Sequence, residues 1–248
     1  MKKYTFPICT FVYLCFFLSA HAQQTMPLTS SSDEAKRLVG SGMMHLVNVE
    51  YEEAYNDFDG AVKLDPNFAL AHFFKGRLSF GESRGKCFAM AQQAAANTSD
   101  AEKLLVSVAD TSLNQKGRHE IFAKLHNMYP EDPILEDFYV MSEPDSTTRV
   151  KLLEEQVAKF PNSPEVYNQM GYYYMMAKKD NAKAKECFEK YLTMYPDGYN
   201  PYDSMGEFYL NTGDKATAKK YYLKSLERCP SSFSSQTKYQ ELSKDDKK

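Results

Sequence analysis

Apolar residues between Asn162 and Pro230 recur three, four or seven positions apart, which is the spacing of one face of an α-helix. One pattern occurs twice along this stretch. Its two copies are Tyr167, Met170, Gly171, Tyr174, Ala184, Phe188 and Pro196, and then Tyr202, Met205, Gly206, Tyr209, Ala218, Tyr222 and Pro230. Equivalent residues lie 34 or 35 positions apart, a period typical of solenoids built from helix pairs. The pattern therefore predicts two consecutive pairs of helices.

Small residues and prolines occupy positions in this repeat where helix packing favours them. Gly171 and Gly206 lie within predicted helices, where glycine costs about 1 kcal/mol relative to alanine. We expect the close approach of a second helix to offset that cost, because Ala184 and Ala218 also present almost no side chain. The prolines then end the second helix of each pair, since proline lacks an amide donor and disfavours helix in the residue before it.

The repeat resembles the tetratricopeptide repeat (TPR). That family has a large residue, Leu-Gly and Tyr in the first helix, Ala and an aromatic residue in the second, and a closing Pro. Here Tyr167 and Tyr202 replace the usual Trp, and Met170 and Met205 replace the Leu. The resemblance implies an all-α fold, a right-handed superhelical solenoid whose concave groove binds a protein or peptide segment.

Weaker copies of the helix-pair pattern cover the rest of the chain from Asp33 to Ser243. The first pair matches the family well, whereas the middle three are recognised only by their period and apolar faces. We predict six TPR-like pairs and a C-terminal cap helix, with the bounds 35–68, 69–98, 99–132, 133–163, 164–198, 199–230 and 231–243. The polar segments 23–32 and 244–248 are predicted to be disordered.

The N-terminal segment, residues 1–22, has the pattern of a signal peptide. A basic start precedes an apolar run of 15 residues, Tyr4–Leu18, and a small-residue cleavage site follows. The run is shorter than the roughly 20 residues that span a bilayer, so we expect cleavage near Ala22–Gln23 and export to the periplasm or the medium. Leu14 and the bulky residues after Cys15 argue against a lipid-attachment site there.

Charge and cysteine content narrow the class of protein further. The whole chain has a net charge of −3, and removal of Lys2 and Lys3 leaves −5, which argues against nucleic-acid binding. Nothing later in the mature sequence reaches transmembrane length. Cys187 and Cys229 are expected not to pair, because their levels in equivalent helices differ by about 12 Å, beyond the reach of a disulfide.

Two short motifs suggest chemistry, and the context of each opposes it. Gly81–Gly85 has the G-x-S-x-G spacing of a nucleophile elbow, but that motif needs a preceding strand and a helix is predicted there. His119, Glu120 and His126 resemble part of a zinc helix, but Ala123 stands where H-E-x-x-H requires histidine. We interpret them as a turn and as solvated helix side chains. We therefore predict no catalytic, cofactor-binding or metal-binding residue.

The resemblance also implies which residues line the groove, because four positions of each first helix face it in the family. In the pairs that can be aligned these are Lys36, Val39, Met43 and Leu46; Leu70, Phe73, Arg77 and Phe80; Glu165, Asn168, Tyr172 and Met175; and Asn200, Asp203, Glu207 and Leu210. The residues predicted to form the binding site are Met43, Phe73, Arg77, Phe80, Asn168, Tyr172, Asp203 and Glu207. The alternative for the aromatic members is that they pack between neighbouring helices.

The charges at these positions indicate the kind of segment that the groove accepts. Lys36 and Arg77 are the only cations among them, whereas Glu165, Asp203 and Glu207 are acidic. A clamp for an acidic tail needs several convergent cations and donors. We therefore expect basic or apolar segments to be favoured.

The sequence as a whole is interpreted as an exported, non-enzymatic adaptor that binds a protein segment. One alternative is an assembly subunit that oligomerises through its terminal repeats. The other is an enzyme, such as a hydrolase, with an unrecognised site. The lack of a convergent cluster of catalytic or metal-ligating residues disfavours the enzyme.

Overall fold

The computed structural model describes residues 25–245, which form thirteen α-helices and one π-helical turn. Twelve of the helices associate as six consecutive pairs, and the thirteenth follows the last pair and contacts it. These described residues contain no strand. The predicted all-α solenoid of six helix pairs and a cap helix is confirmed.

The thirteen helices have the following bounds in chain order. They are α1 Asp33–Val47, α2 Tyr51–Leu64, α3 Ala69–Arg77, α4 Gly81–Ala95, α5 Asp100–Ser107, α6 Gln115–Met128, α7 Pro133–Ser142, α8 Ser146–Lys159, α9 Pro164–Tyr172, α10 Asn181–Met194, α11 Asn200–Asn211, α12 Lys215–Arg228 and α13 Phe233–Asp245. The π-helical turn Tyr173–Lys178 continues α9. No helix within residues 25–245 has the length and apolar character that crossing a membrane requires.

Polar side chains determine where most of these helices begin. Ser99 and Glu102 form a capping box at the start of α5, in which the side chain of each residue accepts a hydrogen bond from the backbone N–H of the other. Six more helices are each capped by the side-chain oxygen of one residue. The capping residues of α1, α6, α7, α8, α10 and α12 are Ser32, Asn114, Asp132, Asp145, Asp180 and Asp214. Prolines follow within two residues of the ends of α2, α6, α8, α10 and α12.

The glycine of each well-matched pair lies against an aromatic ring of the second helix. A Cβ at Gly171 would lie 2.5 Å from the Phe188 ring, and one at Gly206 would lie 2.8 Å from the Tyr222 ring. Both distances are below any normal contact, and both rings are buried. The predicted close approach is thus correct, but the partner of the glycine is the ring rather than the alanine one turn earlier.

The residue that makes the fifth pair 35 residues long is accommodated by the π-helical turn. The backbone N–H of Asp180 donates to the carbonyl of Tyr174 at 2.9 Å, and Lys179 has a left-handed backbone with φ of 55°. One extra residue therefore widens the end of the first helix before α10 begins. This widening brings the turn to the edge of the groove described below.

Residues 25–32, which we call the strap, are ordered against the solenoid, so the prediction of a disordered leader is wrong for them. The side chain of Met26 is only 5% exposed and belongs to the main apolar cluster. Hydrogen bonds join the strap to three later positions of the chain: Met26 N–H donates to Asp132 at 2.9 Å, Thr29 N–H to Glu102 at 2.8 Å, and Ser30 Oγ–H to Asp65 at 2.5 Å. Tertiary burial outweighs the polar composition here.

The other terminal predictions divide between described and undescribed residues. The predicted signal peptide 1–22 lies outside the described residues, as do residues 23, 24 and 246–248. The prediction of a disordered tail is wrong at residues 244 and 245, because α13 extends to Asp245. Cys87, Cys187 and Cys229 are free thiols.

A contact between the first pair and the last two pairs, which we call the latch, closes the solenoid on one side. Glu50 is 2% exposed and accepts hydrogen bonds from Tyr199 N–H at 2.7 Å, Asn200 N–H at 3.2 Å and the Tyr195 hydroxyl at 2.7 Å. Its carboxylate therefore serves the start of α11, about 150 residues away in sequence. Burial raises the pKa of Glu50, against the opposite effect of these hydrogen bonds.

Candidate functional site

Two adjoining cavities form one groove, which residues from both the first and the second helices of the pairs line. Their volumes are about 930 and 780 Å³, within the range typical of ligand sites. Val49, Met141, Asn168 and Gln169 line both cavities. We call the larger one the arginine cavity, because Arg77 and Arg84 line it, and the smaller one the π cavity, because the turn Tyr173–Lys178 borders it.

The arginine cavity has an aromatic and cationic wall. The Arg77 guanidinium lies 5.7 Å from the centre of the Phe138 ring, and the Arg84 guanidinium lies 5.6 Å from the centre of the Phe80 ring. Arg77 reaches solvent through the open groove, yet protein surrounds it on its other sides, and this burial lowers the pKa of its guanidinium. Arg84 also donates through Nε to the Ser79 carbonyl at 2.7 Å.

The π cavity is mainly apolar with a basic rim. Arg149 and Lys151 approach it from α8 and Lys178 from the π-helical turn, and no carboxylate is among its lining residues. The Lys178 ammonium lies 5.6 Å from the centre of the Tyr173 ring. The predicted repulsion of acidic segments therefore does not apply to this half of the groove, because its cations would attract a carboxylate.

Large apolar side chains are exposed along the groove rather than buried beneath it. Their positions are Val49, Tyr51, Phe80, Met141 and Met176, and Phe80 is 82% exposed. Val49 lies in the loop before α2 with φ of 63°, a left-handed conformation that is strained for a β-branched residue. Strain of about 1–3 kcal/mol is typically retained where a site requires a particular backbone.

Four of the eight predicted site residues line the groove. They are Arg77, Phe80, Asn168 and Tyr172. Asn168 is almost buried, and its side-chain oxygen accepts from the Ser204 hydroxyl at 2.9 Å. The Tyr172 hydroxyl donates to Glu207 at 2.7 Å, and burial together with that carboxylate raises the pKa of Tyr172.

The remaining four predicted site residues do not line the groove. Met43 and Phe73 are buried in the main apolar cluster, so for Phe73 the packing alternative is correct. Asp203 is covered by the cap helix and accepts from the hydroxyls of Ser234 and Ser235. Glu207 is paired with Tyr172. Asp203 and Glu207 are therefore occupied by the cap helix and by the neighbouring pair, whereas Met43 and Phe73 belong to the core.

Among the groove residues that the sequence analysis missed, Asp137 and Met141 lie in a pair whose register the sequence does not define, whereas Gln169 lies in a pair that can be aligned. Asp137 and Met141 come from α7, and Gln169 follows a predicted position on α9. Two adjacent acidic residues, Glu136 and Asp137, on a mainly apolar helix were the available signal for Asp137. Burial raises the pKa of Asp137 to about 7, with Glu165 acting in the same direction.

Comparison with known proteins identifies the repeat. Residues 164–197 and 199–232 match the family model of the tetratricopeptide repeat. The chain therefore contains two tetratricopeptide repeats, within residues 164–232. A search of curated proteins finds no match.

Solved structures similar to this TPR protein include three with low sequence identity. PilW, a type IV pilus biogenesis factor, has a TM-score of 0.46 and 16% identity, and the match covers 84% of this chain and 99% of that one. The APC/C hetero-tetramer Cut9–Hcn1 has a TM-score of 0.49 and 15% identity, with 84% of this chain and 42% of that one covered. TTC0263, a thermophilic TPR protein of Thermus thermophilus, has a TM-score of 0.36 and 17% identity, with 84% of this chain and 98% of that one covered. At this level of similarity they carry no inference about function.

The two motifs that suggested chemistry have structural roles in this TPR protein. Gly81 begins α4 with φ of 55°, and Ser83 is an exposed residue of its first turn that follows a helix and not a strand. His119 and His126 both stack on Tyr139, with ring centres 5.0 and 4.8 Å apart. They are partly buried, so the prediction of solvated side chains is wrong for them.

Glu52, Glu53 and Cys229 offer three ligand atoms within 4.8 Å of one another. Glu52 already accepts from the Tyr199 hydroxyl at 2.6 Å. Burial raises the pKa of Cys229, and Glu53 acts in the same direction. Glu52 and Cys229 thus lie where the first and last repeats contact each other.

Proposed function

We propose that this TPR protein is an exported, non-enzymatic scaffold that binds a protein segment in its groove. The observation that carries the proposal is the row of exposed apolar side chains along the groove. Exposed apolar patches rimmed by polar residues typically mark interaction sites on monomeric proteins. The export part rests on the signal-peptide pattern of residues 1–22.

The bound segment is proposed to contribute apolar anchors, with basic groups favoured near Asp137. The anchors pack between Val49 and Met141, where the two cavities meet. Met176 extends the apolar surface along the π cavity. This arrangement corresponds to recognition of an amphipathic segment, in which apolar contacts supply most of the affinity.

A peptide selection with a matched pair of variants tests the groove. Random twelve-residue peptides displayed on phage are selected on the immobilised protein, and the enriched peptides are titrated against Met141→Lys and Met128→Lys. Both methionines are exposed to nearly the same extent, 44% and 45%, but only Met141 lines the groove. We expect Met141→Lys to weaken binding at least tenfold and Met128→Lys to leave it within twofold. Equal affinities for the two variants would refute the groove as the binding surface.

A second candidate function is assembly through the C-terminal repeats. Phe233 begins α13 and is 77% exposed, and Leu223 is exposed on the adjacent α12. Light scattering after gel filtration measures the mass directly. A multimer that dissociates in Phe233→Ser would support this function, and a monomeric wild type at micromolar concentration would exclude it.

A further inference from the structure

Four polar side chains from three helices meet at the floor of the arginine cavity, and we call them the polar centre. They are Asp137 of α7, Gln156 of α8, and Glu165 and Gln169 of α9. Asp137 is 4% exposed, Glu165 3% and Gln156 0%. Asp137 and Gln169 line the cavity, so a group entering from the groove meets them first. Glu165 and Gln169 lie one turn apart on the same face of α9.

The polar centre has more acceptors than the protein satisfies. Gln169 donates its amide N–H to Asp137 at 2.6 Å, but its own oxygen has no hydrogen-bond partner. One oxygen of Glu165 and the amide oxygen of Gln156 are also buried without a partner. Buried polar groups in native proteins nearly always have partners, and exceptions point to a bound group.

No cation within the described residues compensates the two carboxylates. Neither Asp137 nor Glu165 forms an ion pair in residues 25–245. The nearby arginines have other contacts, since Arg77 lies over Phe138 and Arg84 donates to the Ser79 carbonyl. Two neighbouring buried carboxylates without a counter-charge are unfavourable in the free protein.

We propose that the polar centre binds an ammonium or guanidinium group, supplied by a lysine or arginine side chain of the bound segment. This inference rests on the proposed function of the groove. An ammonium donates three hydrogen bonds and a guanidinium five. The unpartnered oxygens of Glu165, Gln169 and Gln156, together with the Asp137 carboxylate, accept that number.

The amide groups favour an organic cation over a metal ion. Gln169 directs its N–H towards Asp137, and the Gln156 N–H₂ group is buried in the same centre. Oxygen-binding metals such as Ca²⁺ need six to eight oxygen ligands. The two carboxylates and two amides supply at most six oxygens, of which one Asp137 oxygen already accepts from Gln169, and the amide hydrogens would repel the ion.

Nuclear magnetic resonance of the side-chain amides tests the polar centre directly. Protein labelled with ¹⁵N-glutamine is titrated with n-butylammonium chloride and n-butylguanidinium chloride, and the amide signals of Gln156 and Gln169 are followed. We expect saturable shifts of both signals with either cation, and none with n-pentanol. Absence of shifts, or equal shifts with n-pentanol, would overturn the proposal. Saturation by calcium chloride at a lower concentration than by the cations would show a metal site instead and overturn it too.

Matched variants separate binding from folding. Asp137→Asn and Glu165→Gln should weaken n-butylammonium binding at least tenfold, whereas Glu155→Gln, at an exposed position on α8, should leave it within twofold. Above about pH 7, where Asp137 is ionised, Asp137→Asn removes a buried charge beside Glu165, so we expect its Tm to rise at that pH. A lowered Tm with unchanged cation binding would show that the Asp137 carboxylate is structural and would contradict the inference.

The peptide selection distinguishes failure of this inference from failure of the proposed function. If selected peptides depend on Met141 but neither cation shifts the glutamine amides, the groove binds segments and the polar centre does not bind cations. If the amides shift but no selected peptide depends on Met141, the polar centre binds cations and the proposed function is wrong. A selected lysine or arginine whose replacement by methionine costs at least tenfold in the wild type, but under twofold in Asp137→Asn, would support both.

Discussion

Replacing Glu50 with alanine measures how strongly the latch stabilises the closed solenoid. The change removes the acceptor of three donors, the N–H groups of Tyr199 and Asn200 and the Tyr195 hydroxyl. A buried donor left without an acceptor costs about 1–3 kcal/mol. Two effects offset part of this: a buried carboxylate is no longer desolvated, and water reaches the donors when the latch opens. We therefore expect a net loss of about 2–4 kcal/mol in the free energy of unfolding.

Urea unfolding followed by circular dichroism gives this free energy, and hydrogen exchange locates the effect. In Glu50→Ala the amides of Tyr199 and Asn200 should lose protection more than those in the middle of α11. Glu154→Ala is the control, because Glu154 is exposed on α8 and its loss should change stability by less than about 0.5 kcal/mol. A change of that small size in Glu50→Ala, with protection retained, would show that the latch contributes nothing.

Three further predictions concern packing, pH and the strap. Gly171→Ala places a Cβ 2.5 Å from the Phe188 ring and should cost about 1–3 kcal/mol in urea unfolding, whereas Gly85→Ala, with nothing within 4 Å, should stabilise by about 0.5–1 kcal/mol. Asp137 keeps its proton to about pH 7 in the folded state, so its contribution to stability is lost as pH rises from about 4 to 7. Over that range the free energy of unfolding of Asp137→Asn should rise relative to that of the wild type, by at most about 4 kcal/mol. A difference between the two that stays constant with pH would contradict this. Met26→Ala should cost about 2–5 kcal/mol if the strap is docked in solution, and a neutral change in thermal unfolding would show that it is not.

The helices and their pairing could be predicted because their causes are local. A glycine, an alanine and an aromatic residue at fixed spacing make one helix fit the next, and a proline ends the unit. The same reasoning failed for the identity of the contact, since Gly171 lies against Phe188 rather than Ala184. Spacing along a helix indicates which face is buried, but not which side chain of the partner fills the space.

The groove could be predicted only in part, because distant segments shape it. Nothing in the period of the repeat indicates that Glu50 reaches the start of α11, or that the cap helix covers Asp203. These contacts depend on how tightly successive pairs curve, which results from the degenerate middle pairs. The polar centre was missed for the same reason, since Asp137 and Gln156 belong to a pair whose register the sequence leaves undefined.

The strap has a consequence for the order of folding. Repeat proteins usually fold by propagation, because each repeat contacts only its neighbours. The strap is synthesised before its partners, and Glu102 and Asp132 follow it by 73 and 106 residues. Closing such loops carries an entropy cost that neighbouring pairs do not meet. Docking of the strap therefore requires the chain to have folded as far as Asp132, at the start of α7, and until then Met26 and the apolar surface that receives it are open to solvent.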